Sequence, residues 1–397
     1  MQPIVRKLPF AAAVAIVPTI AAFVVVSTNT AAAVFLLVGG AAVFMRRPNA
    51  KLLAGGIVAG FAAIALTVHF LPDLFYKPFE RYTLGERFPP GLDVVERVPF
   101  GDLVAMGGSP FRDAAEPHEV RLKTDGIGQR NARDFRPGDI VLVGDSFVLG
   151  IGATHEDTLA VKLAAASGRN FYAIGHPGGL ADYLAWAREF GRPAWIFMFE
   201  GNDFWDTDCQ RAPLRKERDL VRRFRESVPL LAKLERYRIH VLRAARKAMR
   251  GERAPPPPVE RGTVAGKPIL FFKNYVETAR RPTAAFPPCY PPFVKSNAQW
   301  IKGFVFIPTK YRVYRDLLDR REQGPLPHAQ WRALEALARQ LGVPAFDLTP
   351  ALQAAAKAEL ARGRLIFWRD DTHWNGGGAE AAARALLPLL LAPAPAE

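Results

Sequence analysis

Three long apolar stretches open the chain, and short apolar runs alternating with amphipathic stretches fill its second half. Residues 9–28, 31–45 and 52–72 are apolar, the last interrupted by Thr67 and His69. They predict three membrane-spanning helices within residues 1–76. The middle stretch is the shortest, rising about 23 Å against a hydrocarbon core of roughly 30 Å. Residues 77–117 are rich in Pro, Gly and charge and read as a connecting segment; Val120-Arg121-Leu122-Lys123-Thr124 then leads into a domain over 118–397.

Within that domain the spacing predicts strands at 139–144, 170–174, 194–199, 303–308 and 343–348, and helices at 156–167, 180–190, 311–322, 328–341, 350–361 and 377–391. Buried strands alternating with amphipathic helices imply an α/β fold: a parallel five-stranded sheet covered by helices on both faces, three layers in all. Residues from about 205 to 300 interrupt the alternation. An insertion of that length is expected to act as a lid, a lipid contact or a partner surface.

Charge sets the orientation of the predicted spans. Arg6 and Lys7 precede the first, Arg46, Arg47 and Lys51 separate the second and third, and the Ser27-Thr28-Asn29-Thr30 link is uncharged. Lys and Arg favour the cytoplasmic side, so three spans would deliver the domain to the periplasm or exterior from a multi-pass position in the cell inner membrane. The formal net charge of +15 is concentrated in residues 211–253, with Arg222, Arg223, Arg225, Arg236, Arg238, Arg243, Arg246, Lys247 and Arg250 in a helical pattern. No nucleic-acid motif accompanies them, so the expected partners are anionic lipid headgroups of the membrane or an acidic polysaccharide, or else the face is simply solvated. The two cysteines, Cys209 and Cys289, are compatible with a disulfide in an exported domain. No Cys/His cluster suggests zinc, and nothing calls for a cofactor.

The chemistry lies at two widely separated points. Gly144-Asp145-Ser146 directly follows the apolar run Ile140-Val141-Leu142-Val143, which places the Ser146 hydroxyl at the carboxyl edge of the sheet, where α/β proteins bind ligands. A serine hydroxyl needs a base, and His373, in Asp371-Thr372-His373-Trp374-Asn375 before the last helix, is the best placed. His155, His176, His240 and His328 are rivals without a matching context. Asp370 and Asp371 both stand where a carboxylate could orient the imidazole, and the residues leave the choice open. The same two acids with His373 form the competing metal reading. Asn202, in Glu200-Gly201-Asn202-Asp203 after the third strand, can donate to a developing oxyanion together with backbone N–H groups of the Gly175-to-Gly179 turn after the second.

These four blocks resemble the SGNH/GDSL hydrolases, a family named for Ser, Gly, Asn and His: Gly144-Asp145-Ser146, Gly178, Gly201-Asn202-Asp203 and His373, in that order over about residues 118–391. The resemblance implies a flavodoxin-like sheet, Ser146 as nucleophile, His373 as general base, and an oxyanion hole from the Ser146 and Gly178 amides with the Asn202 side chain. Two features depart from the family. The first block ends in Phe147 rather than Leu, and the family's acid three residues before the histidine would be Asp370. Asp371-Thr372-His373-Trp374 and Ile307-Pro308-Thr309-Lys310-Tyr311 are instead similar to the alginate O-acetylation proteins, a resemblance that selects Asp371.

The expectation is therefore a membrane-anchored serine esterase acting on O-acyl, foremost O-acetyl, groups of a cell-envelope polysaccharide through an acyl-serine intermediate. A polysaccharide O-acetyltransferase using the same triad, working with a membrane-bound acyl-transfer partner protein, is the alternative. Two further readings are a non-catalytic glycan-binding envelope component and a cytoplasmic lipase carried on only two spans.

Overall fold

The computed structural model describes residues 88–175, 178–204, 258–320 and 324–392. The three expected spans and the basic stretch at 211–253 lie outside the described residues, and among those described no helix is long and apolar enough to cross a membrane. In chain order the elements are β1 (Asp93–Val98), α1 (Asp102–Gly107), β2 (His118–Lys123), β3 (Ile140–Gly144), α2 (Ser146–Leu149), α3 (Leu159–Ser167), β4 (Phe171–Gly175), α4 (Leu180–Glu189) and β5 (Ala194–Phe199). After the first part of the insertion follow β6 (Val259–Val264), β7 (Lys267–Phe272), α5 (Lys273–Ala279), α6 (Tyr290–Ser296), β8 (Ile301–Ile307), α7 (Lys310–Tyr314), α8 (Ala329–Leu341), β9 (Ala345–Asp347), α9 (Thr349–Leu360) and α10 (Gly376–Leu390).

The sheet has the order β4-β3-β5-β8-β9 with every pairing parallel. This is the flavodoxin-like arrangement, in which the chain begins in the second position and the crevice forms where the winding reverses, between β3 and β5. Side chains alternate between two cores as a strand period of two requires. Leu142, Trp195, Phe197, Phe199, Val305 and Ile307 face one core, shared with α3, α9 and α10. Val141, Val143, Ile196, Met198, Phe304 and Phe306 face the other, shared with α4, α6 and α8. Burial on both faces is why these strands read as continuous apolar runs.

All five expected strands and the helices between them are present, with one shortening. The helix expected over 311–322 is one turn, α7, followed by a 3-10 turn at Arg315–Leu317. Its side chains from Lys310 through Tyr314 are all buried, so the packing around it, not an amphipathic face, sets its length.

The stretch expected to connect, 77–117, is part of the domain from residue 88 onward. β1 pairs antiparallel with β2, from Asp93 opposite Lys123 to Val98 opposite His118. α1 and the following 3-10 turn bury Leu103, Val104, Phe111 and Ala114 against Val259 and Leu270 of the β6–β7 hairpin. The second part of the expected insertion is thus ordered structure packed beside the sheet. Cys289, just before α6, is disulfide-bonded, and the chain's other cysteine, Cys209, lies outside the described residues.

Candidate active site

β3 delivers Ser146 to the carboxyl edge through a sharp turn. Asp145 caps α2, its Oδ1 accepting from the Phe147 N–H at 2.9 Å, and Gly150 closes the turn in the left-handed region (φ 74°), where a side chain would be strained. Two contacts are open to the Ser146 Oγ, the Asp145 Oδ2 at 3.4 Å and the Nε2 of His373 at 2.7 Å, and the second is much the shorter. Behind the turn, the buried Arg130 guanidinium donates to the carbonyls of Gly150 and Ala153, which fixes the chain that follows the serine.

His373 comes from a loop closed at both ends. Phe367 bridges Trp374, and Asn375 caps α10 through the Gly377 and Gly378 N–H groups while its amide donates to the Leu365 carbonyl. The imidazole packs 5.0 Å from the Phe147 ring, which holds its plane toward Ser146. Phe147, where the family resemblance leads one to expect Leu, thus lies between the nucleophile turn and the histidine.

Of the two acids the sequence left open, Asp371 is the one that meets the ring. Its Oδ1 lies 2.6 Å from His373 Nδ1 and accepts the His373 backbone N–H at 2.9 Å; its Oδ2 accepts the Asp102 N–H at 3.0 Å. Asp370, fully buried, points away. Its Oδ2 accepts from the N–H groups of Gly101 and Glu116, and its Oδ1 has no hydrogen-bond partner among the described residues. The chain turns at 369–370 and bends through 371–373, and the two neighbouring carboxylates are held by different partners, Asp370 by the N–H groups of Gly101 and Glu116 and Asp371 by His373 and the Asp102 N–H.

Electrostatics follow from this geometry. Burial alone would raise the Asp371 carboxyl, but the facing imidazole and the N–H donors hold it below the usual carboxylate range. Burial likewise disfavours charge on His373, yet Asp371, with Asp102 and Asp145 beyond it, lifts the ring above its ordinary value. Asp102, pushed up to about 6 by burial and by the Asp371 charge, accepts the Thr372 N–H at 2.8 Å and its hydroxyl at 2.6 Å. Asp145 is raised to about 6 by burial.

The acid triple proposed for a metal, Asp370 with Asp371 and His373, is not assembled. The grouping within ligand reach is Asp102, Asp371 and His373, and there both ring nitrogens and both carboxylates already have hydrogen-bond partners. Among the described residues the side-chain partners of the Ser146 Oγ are Asp145 and His373, not His155 or His328; burial lowers the pKa of His155 and draws that of His328 down to about 4. His176 and His240 lie outside the described residues.

Gly178 and Asn202 follow β4 and β5, the two strands that flank β3, so both stand at the same sheet edge as Ser146. Asn202 is exposed, in a turn pinned by Asp203, whose carboxylate accepts the Phe199 N–H at 2.7 Å and the Tyr183 hydroxyl at 3.1 Å. Gly178 is half-buried at the entry to α4.

Three supporting groups escaped the sequence reading. One is Asp102, which lay in the supposed connector. Glu200 and Arg312, both buried, form an ion pair between the ends of β5 and β8, with Glu200 also accepting from the Thr309 N–H and hydroxyl. Lys310, 4% exposed, donates to three backbone carbonyls of the histidine loop; burial draws its ammonium down to about 7 against the pull of the surrounding carboxylates. The signal for the last two was the charged Thr309-Lys310-Tyr311-Arg312 immediately after a buried strand, where a solvated loop would be the ordinary expectation.

Residues 303–394 match the family described as SGNH hydrolase-like domain, acetyltransferase AlgX. The chain is also 40% identical over 80 residues to the protein described as "Probable alginate O-acetylase AlgJ" of Pseudomonas putida, a stretch covering 20% of this chain and 20% of that protein. The aligned part thus spans about a fifth of the relative's length. The family match takes in β8, Lys310 and the loop carrying Asp371 and His373, and over this part the chain is similar to SGNH hydrolase-like domains, with similarity to the alginate O-acetylation proteins among them.

Proposed function

We propose that the chain is an SGNH-type serine acyltransferase that places O-acyl groups, foremost acetyl, on a cell-envelope polysaccharide. The observation that carries this reading is the continuous hydrogen-bonded series from Ser146 through His373 to Asp371. Acyl transfer, rather than the hydrolysis expected first from sequence, is favoured because both the matching family and the similar protein are described by acetylation.

In this reading the Ser146 Oγ attacks the carbonyl carbon of an acyl donor as its proton passes to His373 Nε2. The imidazolium so formed is balanced by Asp371, which stays ionised. The Ser146 and Gly178 amides and the Asn202 side chain receive the oxyanion of the tetrahedral adduct. Collapse breaks the bond to the leaving group, which takes the proton from His373, and acyl-Ser146 remains. A sugar hydroxyl then gives its proton to His373 and attacks the acyl carbon, and Ser146 is released with its proton restored. Water in place of the sugar would yield hydrolysis, so the acceptor that reaches the edge decides the product.

The apolar stretches within residues 1–76 support a membrane anchor with the domain in the periplasm, where the polysaccharide and a membrane-bound acyl donor partner would be found. The test is a chromogenic acetyl ester supplied with and without an acetyl-free acidic oligosaccharide. Acetylated oligosaccharide from the wild type, and none from Ser146→Ala, is the expected result; acetate release unaffected by the oligosaccharide would overturn transfer in favour of hydrolysis. Failure of a fluorophosphonate to label Ser146 would sink the catalytic reading and leave a glycan-binding component.

A further inference from the structure

The geometry points to Lys310 as a positioning residue for the acid–histidine pair: its ammonium gathers the loop that carries Asp371 and sets the backbone from which that carboxylate meets His373. The inference rests on the triad reading above, and it gives a role to a residue that the hydrogen-bonded series itself does not contain.

The base of the Lys310 side chain is firmly held. Lys310 is the first residue of α7, directly after Thr309, which caps that helix and is clamped by Glu200 through its N–H (2.9 Å) and hydroxyl (3.0 Å). Arg312, two residues on, is tied to the same Glu200 carboxylate and to the carbonyls of Ala279 and Pro327. The backbone of Lys310 is therefore anchored to the end of β5, and its stem starts from a rigid point. From there Nζ reaches the carbonyl oxygens of Trp368 at 2.7 Å, Arg369 at 3.0 Å and Asp371 at 3.0 Å. An ammonium has three N–H donors, and all three are spent on one loop.

Two features separate this from an ordinary buried lysine. First, among the described residues no carboxylate lies within ion-pair distance of Nζ, although Asp371, Asp370, Asp102 and Glu116 all surround it. Charge is used on carbonyls, so both Asp371 oxygens stay with His373 and the Asp102 N–H. Second, the lysine is buried. The side chain is 4% exposed, the Phe271 ring lies 5.6 Å from Nζ, and Lys310 lines a small, largely apolar cavity together with Leu103, Phe271, Tyr275, Tyr311 and Thr372. Water is a poor substitute there, and a side chain without N–H groups would take from the Trp368 and Asp371 carbonyls the donor they have here, while the Arg369 carbonyl keeps the Leu270 N–H. The loop would then relax, and displacement of a catalytic pair by even about 1 Å can cost on the order of a hundredfold in rate.

The test uses the full chain with Lys310→Met, which keeps the length and removes charge and donors. Two quantities are read: kcat and KM with a small acetyl ester, and the far-downfield proton resonance of the Asp371–His373 hydrogen bond, assigned by its loss in Asp371→Asn. The expected result is a kcat lowered at least about tenfold with KM nearly unchanged, and a shifted or lost resonance in protein whose circular dichroism is that of the wild type. Wild-type kcat together with a wild-type resonance would reduce Lys310 to a purely stabilising group and overturn the inference. Should Lys310→Met fail to fold, Lys310→Gln, which keeps two N–H donors without charge, is judged by the same two readings. The resonance does not depend on turnover, so an enzyme inactive toward every ester would defeat the triad reading while still deciding the role of Lys310.

Discussion

The backbone N–H of Asp102 donates to the Oδ2 of Asp371 at 3.0 Å, across 269 residues of sequence. The same pair of segments is joined again by Gly101 N–H to Asp370 Oδ2 at 2.7 Å and by Thr372 to the Asp102 carboxylate. The segment before the sheet is in this way part of the wall that holds the acid.

A methyl group at Gly101 would tear that wall. An added Cβ would lie 2.5 Å from the Asp370 carbonyl oxygen and 2.6 Å from the Asp371 Cβ, closer than real contacts allow. Gly101→Ala is expected to lower kcat about tenfold to a hundredfold while Ser146 can still be labelled by a fluorophosphonate. Steady-state kinetics beside labelling checks this, and full activity would show that the wall yields freely.

Removing the nucleophile should be the severest change. Ser146→Ala is expected to cut turnover of an acetyl ester at least about a thousandfold without lowering thermal stability appreciably, since the side chain is small and only partly buried. Activity within tenfold of wild type would rule out an acyl-Ser146 intermediate.

Acid dependence follows from His373. Its ring must be neutral to accept the serine proton, and its value is raised in the fold, so kcat/KM should climb with pH through a midpoint above about 6.5. Asp371→Asn removes the charge that raises the ring. The climb should then move to lower pH, with kcat reduced about 10³- to 10⁴-fold. An unmoved midpoint would mean that another group sets the profile.

The same pair makes a signed prediction for stability. The Asp371 contribution is present above about 3.9 and lost as pH falls through its lowered folded value; the His373 contribution is complete below about 6.5 and lost as pH rises through its raised one. The stability gap between wild type and Asp371→Asn should therefore be widest between about pH 4 and 6.5. Denaturant titrations across that range would reveal a flat gap if the pair contributed nothing.

Glu200 and Arg312 carry architecture rather than chemistry. Arg312→Met leaves a buried carboxylate unpaired and is expected to cost about 3–5 kcal/mol, more than Ser146→Ala by a wide margin. The double variant Glu200→Gln with Arg312→Met should recover part of the loss, and urea midpoints of the three proteins would test it.

The elements of the sheet were legible because β3, β5 and β8 are buried on both faces and so appear as unbroken apolar runs. β1 was not legible: its alternation of exposed and half-buried positions, over only six residues flanked by Pro and Gly, looks the same in a linker as in a strand. Ser146 and His373 could be picked out because each occupies a turn directly beside a regular element. Lys310 could not, because a lysine after a strand is ordinarily solvated, and what makes this one buried is the hairpin and loop that close over it.

Local sequence thus determined the five strands of the parallel sheet, their sequence along the chain and the two turns that carry hydroxyl and imidazole, since periodicity and turn chemistry act between near neighbours. Tertiary structure brought Asp371 and not Asp370 to the ring, a choice that the residues left open and only the resemblance of Asp371-Thr372-His373-Trp374 selected, and it alone decided that Asp102 lies behind the acid and that a lysine holds the loop. Those outcomes depend on the direction in which one short loop leaves the core and on what packs against it, which periodicity between near neighbours does not encode.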